Sequence, residues 1–272
     1  MPVKEPSFVM INGRRMAYDE VSPSQPKGTV LLLTGADSNR LTWYKQLDVF
    51  GRAFWTIAVD YRDTGDSDPV SEPYTIVDLA KDAVFVLDAL GVQRAHVVGI
   101  SLGGYVALQM AWRHPERVEK LVLVSTSATF IPPSPSMMAQ MRQLQQDPHV
   151  EAGQRMQRIL ALISAPGYFA SHPEDWDKIA EWASYRPQRA EAAMRQMQAC
   201  LTYDMSGQLD QIQVPTLVVH GELDPRVALE NSRFLAEHIT GARLLLYPNT
   251  GHLVIIERAE EFNQDVLAFL ES

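Results

Sequence analysis

The sequence predicts an α/β fold: a mainly parallel sheet with helices on both faces and an inserted helical cap. Three observations predict it. Short continuous apolar runs such as Thr29–Thr34 and Val118–Val124 read as strands buried on both faces. Stretches with apolar residues three and four apart, the period of a helix, alternate with them. One long segment, residues 129–209, breaks the alternation with helical patches and no convincing strand. Strands alternating with helices imply a parallel sheet, because each crossover lays its helix on a sheet face.

The elements follow in order. Ser7–Ile11 and Arg14–Val21 flank Asn12-Gly13, a pair that favours a two-residue type I′ hairpin. Pro23 to Gly28 is a polar loop, Thr29–Thr34 a buried strand, and Phe54–Val59 a second one. Ile76–Leu90 carries apolar residues at 76, 79, 80, 83, 84, 87 and 90, which predicts a helix ended by Gly91. His96–Val98 is a strand and Tyr105–Arg113 a helix; Val118–Val124, Thr216–His220 and Leu244–Tyr247 are further strands, and Ala259–Leu270 closes the chain as an amphipathic helix. The segment 129–209 opens on Ile131-Pro132-Pro133-Ser134-Pro135 and predicts helices over Met137–Gln145, Val150–Leu162, Trp176–Tyr185 and Arg189–Leu201. Residues 1–128 and 210–272 are then the sheet core, with 129–209 a cap inserted into it.

Composition bounds the function. The chain has 272 residues, 46% hydrophobic and 21% charged, with a formal net charge of −9, which is ordinary for a globular protein. An acidic balance argues against nucleic acid as the partner, since phosphate neutralisation needs a basic patch. No apolar run reaches the length of a membrane span, and Met1–Met10 has no apolar core of a secretory signal, so a cytoplasmic setting is expected. The single cysteine, Cys200, can make neither an internal disulfide nor a metal cluster. It reads as a small buried helix residue rather than a nucleophile. No metal or cofactor is expected, and the oligomeric state is left open.

Chemistry enters at Gly99-Ile100-Ser101-Leu102-Gly103. A β-branched run leads into this G-x-S-x-G stretch and a helical run leaves it. A serine between strand and helix, with glycine two residues before and after, suits a sharp strained turn that lifts its hydroxyl to the N-terminus of the next helix. A serine hydroxyl needs a base, and the base an orienting acid, both in loops after strands in this architecture. Of the seven histidines, His252 follows the last expected strand in Pro248-Asn249-Thr250-Gly251-His252. His220 ends a strand and is expected to pack beneath the next loop. His96 starts a strand at the opposite end, and His114 ends a helix. His149, His172 and His238 lie in polar stretches. Asp224, in Gly221-Glu222-Leu223-Asp224-Pro225, is the expected acid, with Glu222 its competitor. The order Ser101, Asp224, His252 is nucleophile, acid, base. Oxyanion donors are expected at the backbone N–H of Leu102 and of Ala36, the latter in the loop Thr34-Gly35-Ala36-Asp37-Ser38. Seven of the 11 methionines lie in 129–209. As flexible apolar side chains they suit an adaptable acyl pocket or cap packing. Met137, Met138 and Met141 are the ones expected to line the pocket.

With these residues in view, the chain resembles the α/β-hydrolase superfamily over about residues 8 to 271. The resemblance rests on Leu31-Leu32-Leu33-Thr34-Gly35, Asp60-Tyr61-Arg62-Asp63-Thr64-Gly65-Asp66-Ser67-Asp68, the Ser101 turn, His114-Pro115-Glu116-Arg117-Val118, the Asp224 loop and Gly251-His252. The family has His-Gly where this chain has Thr34-Gly35; that histidine packs rather than reacts. The Arg62–Gly65 stretch, with a non-histidine before Gly35, is similar to the aclacinomycin methylesterase branch, whose members hydrolyse a methyl ester on a polyketide. The resemblance implies a serine hydrolase acting on a small-molecule carboxylic ester, with no nucleic-acid or membrane partner. Lactone, thioester, amide or carbon–carbon hydrolysis and perhydrolysis share the same residues. A receptor with a slow triad is a further alternative.

Overall fold

The computed structural model describes residues 5–147 and 149–272. Its eight strands are β1 (Ser7–Ile11), β2 (Arg14–Val21), β3 (Thr29–Leu33), β4 (Trp55–Val59), β5 (Ala95–Ile100), β6 (Val118–Val124), β7 (Thr216–Gly221) and β8 (Arg243–Tyr247). They form one sheet in the order β1-β2-β4-β3-β5-β6-β7-β8. The β1–β2 and β2–β4 pairs are antiparallel and every later pair is parallel. The hairpin that opens the sheet has Asn12 at φ 50° and Gly13 at φ 79°, the doubly positive turn expected of Asn-Gly.

Strands β3, β5 and β7 are buried along their whole length, as their unbroken apolar sequences require. Helices α1 (Ile76–Ala89) and α2 (Leu102–Arg113) cover one face, with Leu79, Val86, Val106 and Met110 in the same apolar cluster as Leu31 and Val97. The capping box between Thr75 and Asp78 fixes the start of α1. On the other face Val30, Val98 and Val219 pack with Phe262 and Val266 of the closing helix Ala259–Glu271.

Between β6 and β7 the chain forms α3 (Pro135–Gln146), α4 (Ala152–Ile163), the short helix Tyr168–Ser171, α5 (Pro173–Tyr185) and α6 (Ala190–Leu201). No strand is assigned there among the described residues; a single bridge, Thr129 with Asp204, closes the base of the segment. Ion pairs tie it to the loop after β4. Asp63 meets Arg189 at 2.5 Å and Arg195 at 2.7 Å, and Asp66 meets Arg186 at 2.7 Å. Among the features not predicted are α7 (Leu229–His238), whose apolar positions are too sparse to mark a clear stripe, the one-turn helices Leu47–Phe50 and Tyr168–Ser171, and the helical turn Val254–Glu257 just after His252.

Candidate active site

The carboxyl ends of β5, β7 and β8 bring the predicted residues to one edge. Ser101 follows β5 directly, at φ 54° and ψ −118°, outside the regions an L-residue ordinarily occupies. Close packing holds it there. A Cβ on Gly99 would collide with the backbone of Gly103, and one on Gly103 with the backbone of Leu33. The turn is pinned by Ser101 N–H donating to Val124 O at 2.9 Å and by Thr126 Oγ1 donating to Ser101 O at 2.8 Å.

His252 and Asp224 meet directly: His252 Nδ1 lies 2.7 Å from Asp224 Oδ2. Only a proton on Nδ1 makes that contact a hydrogen bond to a carboxylate, which leaves Nε2 as the free lone pair. The other carboxylate oxygen, Asp224 Oδ1, accepts from the N–H groups of Arg226 at 2.8 Å and Val227 at 2.9 Å. The Asp224 side chain is fully buried, whereas Glu222 is exposed, so the competitor lies on the surface. Ser101 Oγ and His252 Nε2 share no hydrogen bond, and neither has another partner among the described residues.

His220 packs beneath the acid, as expected. Its Nε2 donates to Val227 O at 3.0 Å and its Nδ1 accepts from Ser232 Oγ at 2.8 Å. Burial lowers its pKa, which keeps it neutral, 3.7 Å from Asp224 Oδ2. Sequence reasoning missed Glu257. Its Oε2 accepts from Gly251 N–H and Ala165 N–H, both at 2.9 Å, and Oε1 accepts from Leu253 N–H at 3.1 Å. It therefore clamps the backbone on both sides of His252. The signal was a glutamate five residues beyond the expected base, readable only once Val254–Glu257 is known to coil back.

The expected oxyanion donors, Ala36 N–H and Leu102 N–H, have no protein acceptor among the described residues. Gly35 brings its loop to Ser101: a Cβ there would lie 3.5 Å from Ser101 Cβ. Thr34, in the place of the family's histidine, is fully buried, and its carbonyl accepts from Tyr61 OH at 3.2 Å. Beyond Ala36 the loop is held from the cap, where buried Gln196 Oε1 accepts Asp37 N–H at 2.8 Å. Arg40, also fully buried, anchors the far end through Asp60 at 2.7 Å, Asp66 at 2.8 Å and Asp19 at 3.0 Å.

A cavity of about 520 Å³ opens beside this loop. Its wall starts at Asp37 and Ser38 and continues over Met156, Ile159, Trp182, Met194 and Met197; Ser101, Asp224 and His252 are not on it. Neither are Met137, Met138 and Met141. Met137 is buried in the cluster with Ile163 and Trp182, Met141 packs against that cluster, and Met138 is exposed. The methionines on this cavity wall are thus a different set from the three expected to line an acyl pocket, because α4 and α6 rather than α3 face this cavity. Cys200 is buried and its thiol is pushed up to about 12 by desolvation, which makes it a packing residue. Among the described residues no group of side chains suits a metal ion, and no helix is long and apolar enough to cross a membrane.

The profile of the alpha/beta hydrolase fold matches residues 28–259. A protein of Caulobacter sp. strain K31, provisionally named carbamate hydrolase RutD, is 32% identical over 93% of this chain and 95% of its own length. A poly(3-hydroxyalkanoate) depolymerase of Ectopseudomonas oleovorans is 34% identical, over 92% of this chain and 87% of its own. Among solved structures, an enol-lactonase from Burkholderia xenovorans LB400 superposes with a TM-score of 0.85 at 24% identity, over 98% of this chain and 100% of that one.

Proposed function

The chain belongs to the α/β-hydrolase-fold family and is a hydrolase, and on that premise we propose that it is a serine hydrolase of carboxylic esters. The observation that carries the reading is the 2.7 Å contact between His252 Nδ1 and Asp224 Oδ2, beside a serine held at φ 54°. In this reading Ser101 Oγ attacks the ester carbonyl while His252 Nε2 takes its proton, the serine–histidine bond closing once substrate is in place. Asp224 fixes the tautomer and stabilises the imidazolium. The N–H groups of Ala36 and Leu102 receive the developing oxyanion. His252 then returns the proton to the leaving alcohol, and water activated by the same nitrogen frees the acyl group. The acyl chain lies in the cavity beside Asp37, against Met156, Met194 and Met197.

The polyester depolymerase among the relatives supports an ester, whereas the carbamate hydrolase name supports an alternative in which the same residues cleave a carbamate. One screen tests both. It compares p-nitrophenyl esters of rising chain length with carbamates, lactones and thioesters, using the wild type and Ser101→Ala. Ester turnover that rises with acyl length and vanishes in Ser101→Ala supports the reading. Faster carbamate turnover, or equal turnover by the variant, overturns it.

A further inference from the structure

Asp37 stands out in the cavity wall. It is the residue after the Ala36 donor, and its carboxylate has neither a hydrogen bond nor an ion pair among the described residues. Its place is fixed by the backbone. Asp37 sits at φ 56°, in the left-handed region, and its N–H is held by Gln196 Oε1 at 2.8 Å. Asp37 is half-buried, and the cavity wall beyond it includes the apolar side chains of Met156, Ile159, Met194 and Met197. A half-buried carboxylate with no protein donor among the described residues, at the mouth of a partly apolar cavity, is open to a donor carried by a bound chain.

The walls also say which donor. Arg155 and Arg186 share the cavity, and their positive charge disfavours an ammonium group. Neither arginine is free to take an anion. Arg155 donates to the carbonyls of Leu144, Asp147 and Val150, and Arg186 pairs with Asp66. A neutral hydroxyl on an otherwise apolar chain satisfies both constraints. We propose that Asp37 is a specificity-determining residue that accepts a hydrogen bond from a hydroxyl group on the substrate's acyl chain. The proposal rests on the ester-hydrolase reading and names its substrate class, hydroxyacyl esters.

Desolvation pushes the Asp37 carboxyl up to about 6, so its acceptor strength changes across neutral pH. The ionisable groups facing it are Arg155 on α4, Arg186 after α5 and Cys200 on α6. Asp66 holds Arg186 in its charged form, and burial holds the Cys200 thiol neutral, over pH 5 to 8.

The test compares p-nitrophenyl octanoate with its 3-hydroxy and 7-hydroxy derivatives in the wild type and in Asp37→Gly. Glycine keeps the left-handed backbone and the bond to Gln196 while removing the carboxylate. The wild type should favour at least one hydroxy ester in kcat/KM by roughly tenfold, the scale of a hydrogen bond to a charged acceptor. Asp37→Gly should treat all three alike. The wild-type ratio should also grow from pH 5 to pH 8, because proton transfer at His252 affects each ester equally and cancels in the ratio. No preference in the wild type, or the same preference in Asp37→Gly, overturns the proposal, as does faster turnover of an ω-ammonium ester. Calorimetric binding of octanamide and its hydroxy derivatives to Ser101→Ala separates the two readings. Hydroxyl-selective binding without ester turnover by the wild type sinks the hydrolase reading alone. Ester turnover without hydroxyl selectivity sinks this one alone.

Discussion

The carboxyl edge of the sheet and the helices above it are built to different tolerances. At the edge, Asp224 and His220 are fully buried, and the proposed acid and base are fixed by short hydrogen bonds. In the cap, Met194 is 64% exposed and Met197 44%, and the helix that carries them is held to the loops of the edge by the Arg195–Asp63 ion pair and the Gln196–Asp37 hydrogen bond. Acyl transfer needs atoms held within a fraction of an ångström, which buried polar contacts supply. A chain-binding wall needs only apolar area, which flexible methionines supply without fixed geometry. Substitutions at the edge should therefore act through kcat and those in the cap through KM and substrate preference.

The largest effect is expected at the acid. Asp224→Asn should lower kcat by about 10⁴ with little change in KM, the size of the loss when a triad loses its tautomer control. Glu222→Gln, on the exposed competitor, should leave both constants near the wild-type values. Steady-state kinetics on one ester decides it, and a reversal of the two effects would move the acid to Glu222.

Gln196 is where the two regions meet, so it sharpens the comparison. Gln196→Leu removes the acceptor of Asp37 N–H and loosens the loop that carries Ala36. Its kcat should fall about tenfold, less than the ~10²–10³ lost when an oxyanion donor is removed outright. Gln196→Glu keeps an acceptor and should recover most of the rate. A change in KM alone would make Gln196 an ordinary cap residue.

Within the cap the methionines should behave differently from one another. Alanine at Met194 and Met197 should lower kcat/KM for octanoate a few-fold more than for acetate, since a buried methylene is worth about 0.8 kcal/mol. Met138→Ala, away from the cavity, should change neither. Equal losses at all chain lengths would remove the cavity from substrate binding.

The smallest effect concerns stability. Because the Asp37 carboxyl is raised from 3.8 to about 6 in the folded state, the folded protein holds that proton more tightly than the unfolded chain. The stabilisation is complete below the ordinary value and is lost as pH rises through about 6. Asp37→Asn should therefore raise Tm at pH 8 and leave it almost unchanged at pH 3.5 by thermal melts. A variant that melts lower at pH 8 would show that the carboxylate has a partner.

The same division decides what could be read in the sequence. Strand β6 lies where its apolar run puts it, and β1 and β2 lie where the Asn12-Gly13 turn between them puts them, because a run buried in the sheet and a two-residue hairpin turn each leave a local signature. Ser101, Asp224 and His252 were legible because strained turns and strand-end loops restrict residue types, and the structure seats Asp224 and His252 in contact. Glu257 and Gln196 were not legible. Gln196 acts through one amide oxygen on the N–H of Asp37, far away in sequence, and Glu257 through both carboxylate oxygens on the N–H groups of Gly251, Leu253 and the distant Ala165, and no local pattern marks either. The methionines that line the cavity were not singled out, for a related reason. Amphipathic helices reveal a buried side, but Met137 on α3 buries into the cap's own cluster while Met194 and Met197 on α6 face the cavity.

The central claim is that Ser101 is the nucleophile. The most direct measurement is mass spectrometry of the protein after reaction with a fluorophosphonate. The account predicts one adduct, on the peptide containing Ser101, absent in Ser101→Ala and formed far more slowly in Asp224→Asn. An adduct on another residue, or none on a folded protein that still hydrolyses esters, would contradict it.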